Sequence, residues 1–500
     1  QSGPINRDTD VICFPTMSDN RMLTAVLRSA GYTCLDTYHD GHDLEQLIKQ
    51  GRRSTGDSIC APLAGVYADL ERAVDAFHQR RASGDPQFVA KKRLLYFDNK
   101  GTGPCRQGQY AHVHQLLYYG KHTNEASCSA LPGQGVLKFL VAQETEGYNI
   151  GIEEWVLARA HQALVLEGVL HSLLFNGGVA CRDFAEYERF LADFRLLKRE
   201  LFAALESYKG PGRLLRRLLG KVGGVPYLGP AIKYFAYRLH GRDIAKPLRR
   251  FAKRWIHGRS QHSATLKVAM TGEAYMRVAQ CEDVFRLLLA NLGFRRFNLA
   301  FTPTWSYMEW LCEEDIETQK EKLKRLHAAP DGNNARINQI HASIRATRML
   351  QFSMRSLVAR PLYQAAGVPL PLSAVTATHK ARKILPTLRP LGEISPYVGE
   401  VIAELRHGTD IVFNIAPNGC MVSSMGEVLT PAIQHASGAP GRVQHLFSAD
   451  GDVNEELLTL ALLKTMGPER YYRATTGSRV TGERWPDDSY EGELAAAGTY

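Results

Sequence analysis

Cysteine is the residue type in this sequence best placed to do chemistry. There are nine, at positions Cys13, Cys34, Cys60, Cys105, Cys128, Cys181, Cys281, Cys312 and Cys420. An odd number scattered through a long chain argues against a secreted disulfide framework. No CxxC pair and no closely spaced run occurs, which excludes a zinc ribbon, a thioredoxin-like redox pair and a ferredoxin-type cluster run. Cys60, Cys105 and Cys420 nevertheless share a setting. Each sits in a loop beside Gly or Pro, directly before a predicted helix or after a predicted strand. Unpaired N–H groups at a helix start favour thiolate over thiol, and iron–sulfur clusters are held by thiolates. Spacing alone leaves two readings open, a shared metal site and three unrelated buried thiols. Cys34, Cys181 and Cys281 lie in or beside apolar patterns and read as core. Cys13, at a strand end, and Cys128, in a polar loop, are candidates for a second cluster.

The elements that must position these thiols alternate. Val11–Phe14 is a short apolar run, Met22–Ala30 has helical spacing, and Cys34-Leu35 begins another extended segment. Leu44–Lys49 reads as a helix stopped at Gly51, and Ala61–Gln79 as an amphipathic helix. Leu94–Phe97 is a strand running into a glycine-rich loop. Ile152–Leu174 and Asp183–Ser207 are long helical patterns. The rhythm then returns, with predicted strands at Leu266–Met270, Phe297–Phe301, Asp410–Ile415 and Val443–Phe447. Helices are predicted at Glu282–Leu292, Gln319–Leu326, Ile337–Leu357, Val398–Leu405 and Met425–Gln434. Such alternation implies an α/β fold with two or more doubly wound parallel sheets and helical additions.

At about 100–200 residues per domain, 500 residues predict two to four domains. The divisions read as 1–145, carrying Cys60 and Cys105; a helical region 146–262; 263–472, carrying Cys420; and a poorly ordered tail, 473–500. The net charge of +10 is local. Between Lys209 and Arg259 fourteen Lys or Arg face one acid, so this segment carries +13 and the rest about −3. Three readings stay open for it: a solvated helical face, a docking surface for phosphates or an acidic partner, and a membrane-surface helix. No nucleic-acid module is recognisable. No apolar run is long enough for a membrane span, and Gln1–Asp10 lacks a signal-peptide core, so a cytoplasmic location is expected.

Gly103-Pro104-Cys105-Arg106-Gln107-Gly108-Gln109-Tyr110 resembles the GPCRFGQY signature of the 2-hydroxyacyl-CoA dehydratase and benzoyl-CoA reductase superfamily, in particular its large activase-related members. Further segments resemble the family's in the same order. They are Ser58–Pro62 (a Cys-x-Pro segment), Gly272–Arg277 (GEIYVR), Pro396–Glu400 (a Gly-Glu helix start) and Asn414–Met421 (NxxPFGCMP). The resemblance implies flavodoxin-like domains holding a [4Fe–4S] or a sulfide-bridged double-cubane [8Fe–9S] cluster on Cys60, Cys105 and Cys420. Arg106, Gln109 and Tyr110 would stand beside it. It also implies a separate ATP-hydrolysing activator that injects low-potential electrons, a CoA thioester or other small molecule as acceptor, and a homo- or hetero-oligomer.

Some positions depart from the family pattern. Gln107 and Asn418 stand where Phe is usual, which makes the surroundings more polar and shifts the expected potential. Val422 replaces the usual Pro, and the basic segment 209–259 is an addition. No GxxxxGK[ST] loop or activator motif is found, so ATP would be used by a partner. Two further readings remain: a non-catalytic electron-transfer or assembly subunit, and a binding protein with bare thiols.

Overall fold

The structure, a computed structural model, describes residues 5–15, 19–37, 43–57, 60–98, 105–121, 137–141, 152–212, 214, 217–218, 242–258, 266–328, 334–386, 392–439 and 442–471. Cys128, Gly103-Pro104, most of the basic segment and the tail 473–500 lie outside the described residues.

The chain is α/β, with two four-stranded sheets that are parallel throughout. The first contains β1 (Asp10–Cys13), β2 (Thr33–Leu35), β3 (Arg93–Asp98) and β4 (Leu137–Val141), in the order β2-β1-β3-β4. The second contains β5 (Leu266–Gly272), β6 (Phe297–Phe301), β7 (Ile411–Pro417) and β8 (Val443–Ser448), in the order β6-β5-β7-β8. Buried parallel strands read as continuous apolar runs, and β1 and β7 are buried at every residue.

The helices of the first half are α1 (Arg21–Ser29), α2 (Leu44–Thr55), α3 (Ala61–Ala82) and α4 (Tyr110–Lys121). The long pair α5 (Glu154–Val179) and α6 (Phe184–Ser207) follows, then α7 (Arg242–Trp255). The second half has α8 (Ala274–Leu292), α9 (Trp305–Ala328), α10 (Asn334–Phe352), α11 (Arg360–Ala366), α12 (Ala374–Ala381), α13 (Ile394–Arg406), α14 (Met421–Ser437) and α15 (Glu455–Met466). A single turn of π-helix, Ser353–Ala359, joins α10 to α11. One apolar core runs from the first sheet through α5 and α6 into the second. Among the described residues no helix is long and apolar enough to cross a membrane.

Two expectations need correction. Gly51 does not stop α2; the helix continues to Thr55 and ends at Gly56, whose φ is 81°. Gly51 instead lets α2 press on α3, since a Cβ there would lie 1.8 Å from the Ala64 carbonyl oxygen. Part of the basic segment is also a packing helix. In α7, Ile244, Leu248, Phe251, Ala252 and Trp255 are buried against the body, and Trp255 Nε1 donates to Asp193 at 2.8 Å. Its basic residues Arg249, Arg250, Lys253 and Arg254 face outward.

Candidate functional site

Open parallel sheets present ligand sites beyond the carboxyl ends of their strands, where the strand order reverses. That point falls between β1 and β3 in the first sheet and between β5 and β7 in the second. Residues at or just past the carboxyl ends of β1, β3, β5 and β7 line one cavity of about 290 Å³: Pro15, Asp98, Glu273 and Cys420. Cys60 and Cys105 line the same cavity, so all three sequence-selected thiols meet there.

Each of the three is the N-cap of helical structure in nearly the same backbone conformation. Cys60 (φ −58°, ψ 131°) opens α3. Cys105 (φ −63°, ψ 133°) opens a 3-10 turn, Arg106–Gln109, that runs into α4. Cys420 (φ −70°, ψ 152°) opens α14. None of the three side chains forms a capping hydrogen bond. The Cys60 sulfur lies 3.0 Å from the Tyr110 hydroxyl, and both groups are buried. Burial pushes the Tyr110 phenol well above its ordinary value, with the Cys60 thiol adding to the effect, so the neutral hydroxyl can donate to the sulfur.

The expected bias toward thiolate does not hold for the bare protein. Burial raises Cys60 to about 11 and Cys105 to about 12, and raises Cys420 as well. The nearby backbone N–H groups of Leu63, Gln107 and Val422 oppose this without overcoming it. Desolvation outweighs the helix start here. The bare site therefore holds thiols, and binding a metal would have to release their protons.

A single ion draws its sulfurs to about 2.3 Å. Among the described residues no group of three or more His, Cys, Asp or Glu is arranged to hold one ion. The three thiols instead surround a space far larger than the roughly 10–15 Å³ that houses one water. Thiols are the donor type that holds iron–sulfur clusters.

Of the neighbours selected from sequence, Arg106 and Tyr110 line the cavity and Gln109 does not; it faces solvent. Gln107 takes its place, lining the cavity and accepting a long hydrogen bond from Tyr307 OH at 3.5 Å. Cys13 belongs to the core of the first sheet, fully buried and apart from the cavity lining, with its thiol donating to Phe14 O at 3.7 Å. Cys34, Cys181 and Cys281 are core residues, as expected.

The second sheet supplies carboxylates that sequence reasoning did not single out. Glu273 caps α8, accepting from Tyr275 N at 3.1 Å and Met276 N at 2.8 Å, and lines the cavity. Glu393 accepts from Ala274 N at 3.4 Å. Glu400 accepts from Thr271 Oγ1 at 2.6 Å and Thr302 Oγ1 at 3.2 Å. Burial raises all three, Glu393 to about 8, with Glu273 also repelling its charge. Arg277 sits among them, donating to Gly272 O at 2.9 Å. Glu273 was signalled by the Gly-Glu pair ending a strand, and Asp98 by its place as the last residue of one.

No family model, curated protein or solved structure matches this chain.

Proposed function

We propose that Cys60, Cys105 and Cys420 hold a [4Fe–4S] cluster in this cavity. In this reading the chain is the cluster-bearing component of a low-potential reductase or dehydratase system. A separate ATP-hydrolysing activator supplies its electrons, and a CoA thioester or other small molecule accepts them. One observation carries the reading: three helix-capping cysteines, two from the loops of one sheet and one from the other, line a single cavity at both strand-order reversals. The octapeptide around Cys105 and the family-like segments around Cys60 and Cys420 support it independently. The strand orders suit a flavodoxin-like reading of both halves.

When bound, such a cluster supplies one-electron chemistry at low potential. The chain's own residues do the rest. With Cys60 bound as a thiolate, the Tyr110 hydroxyl 3.0 Å away would donate to its sulfur, and such donors stabilise charge on a ligand and tune its potential. Met421 and Met425 with Pro15 and Val66 give the cavity apolar walls that limit water. Among the described residues three thiols line the cavity, one short of the four that usually hold a cubane, which leaves a place for a further ligand. They also suit a single cubane better than the [8Fe–9S] form, which needs thiols for two. None of the eight described cysteines is in a disulfide.

Iron and sulfide analysis with an EPR spectrum on anaerobically purified protein tests the reading. About four irons per chain are expected for one cubane. Absence of iron after anaerobic reconstitution refutes it.

A second reading, an electron-transfer or assembly subunit docked in a complex, is favoured by α7. That helix buries one apolar face and turns a basic one outward. Turnover of a small acyl or aryl thioester by purified chain plus activator separates the two.

A further inference from the structure

Asp98, the last residue of β3, lines the thiol cavity. Behind it, on α4, His114 is wholly buried. Its Nδ1 lies 2.7 Å from Asp98 Oδ2, and its Nε2 lies 3.2 Å from the carbonyl oxygen of Leu63 on α3. A carbonyl oxygen can only accept, so Nε2 carries a hydrogen. The short contact on the other side then needs a hydrogen as well, on Nδ1 or on the carboxyl, because two lone pairs cannot face each other at that distance. The pair therefore holds one proton more than a neutral imidazole beside a free carboxylate.

Buried side chains from α3, α4 and β3 surround the pair. The Tyr67 and Tyr110 rings stand 5.8 Å from the imidazole, from α3 and from α4 itself. Tyr96, two residues before Asp98 on β3, donates to Val66 O at 3.1 Å and lies 3.5 Å from Asp69 on α3. All four of these groups are buried. Among the described residues, Asp98 reaches both His114, by hydrogen bond, and the cavity wall; Tyr110, whose ring packs on the imidazole, lines the same wall.

We propose that Asp98 and His114 store a proton at the wall of the thiol cavity and form its general acid. The inference rests on the cavity being a reaction site, as argued above. Asp98 gives its proton to an anionic oxygen or carbon, formed when a small organic molecule in the cavity takes up electrons from the low-potential donor. The O–H bond at Asp98 breaks and a new bond to hydrogen forms on the substrate. His114 is left with a bare Nδ1 toward the Asp98 carboxylate, which the 2.7 Å spacing disfavours, so the pair must separate or take a proton back from solvent before the resting geometry returns. In this scheme His114 is a positioning residue and Asp98 the group that meets substrate.

The test uses the full metal-free chain with 15N-labelled histidine rings and 13C-labelled aspartate carboxyls. Wild type is compared with Asp98→Asn, and His114→Gln identifies the His114 signals. Beside the hydrogen on Nε2, the wild type should show a second proton on Nδ1 or on the Asp98 carboxyl. Asp98→Asn should lose it, leaving Nδ1 bare. A bare Nδ1 beside an ionised Asp98 in wild type overturns the proposal, whether or not the variants fold. In cluster-loaded protein, the reduction potential should fall with rising pH where the pair releases its proton, and Asp98→Asn should remove that dependence. Identical profiles in the two proteins overturn the link to the cavity. Iron content, measured on the same samples, reports the cluster reading separately, since the NMR result stands without metal.

Discussion

The two sheets have the same strand order and offer the same place for a site, yet they equip it differently. The first half contributes two thiols and a buried Asp–His pair. The second contributes one thiol and a group of buried carboxyls around Arg277. Topology sets where the loops converge; the residues on those loops set what can happen there. A cavity needing both halves also differs from two separate sites, and the difference can be measured.

The largest expected effect comes from removing one thiol on either side. Cys60→Ser and Cys420→Ser should each cut bound iron from about four per chain to near none after reconstitution. Retention of full iron by Cys420→Ser would show that the second half stands apart from the site. Next come the matched glycine crossings. A Cβ at Gly51 would lie 1.8 Å from Ala64 O, and one at Gly399 would lie 1.7 Å from Ala377 O, where α13 meets α12. Gly51→Ala and Gly399→Ala should each destabilise by about 3 kcal/mol, read from urea midpoints, as expected for overpacking against backbone. A loss in one half alone would show that the crossings are not equivalent. Cys13→Ser should keep its iron and lose about 1–3 kcal/mol, the cost of burying a hydroxyl in an apolar core. Iron loss in that variant would extend the site to β1.

The smallest effect concerns the carboxyls. Burial, then repulsion from Glu273, lifts Glu393 from 4.5 to about 8. The folded chain thus holds this proton more tightly than the unfolded chain does. Its contribution is full below pH 4.5 and is lost as pH rises through about 8. Wild-type stability should therefore fall across that window, and Glu393→Gln should flatten the profile. An unchanged profile would mean that the second half carries no such burden.

Much of this was legible in the sequence. Loop settings beside Gly and Pro picked out Cys60, Cys105 and Cys420 from nine cysteines, because helix starts and strand ends are written in local composition. The alternating apolar runs gave the α/β class for the same reason. The rest depends on contacts between distant segments. Gly51 looks like a stop until α3 is seen against it. Helix α8 begins at Ala274, eight residues before the predicted Glu282, because Glu273 caps it. Strand β4 escaped notice, being a short run between segments without a clear period. The Asp98–His114 pair joins residues sixteen apart on different elements, and no spacing rule announces it.

Gly65 lies midway along the first half of α3, and a Cβ there would stand 3.0 Å from the hydroxyl of Tyr275, which reaches across from the start of α8. The two positions therefore share one volume. A methyl at 65 requires the tyrosine hydroxyl to give by a few tenths of an ångström, and a larger residue requires more. Among descendants of this sequence, change at these two sites should arrive in a fixed order, with the ring giving way first. That historical constraint would tie the halves together even in a lineage that had lost every thiol.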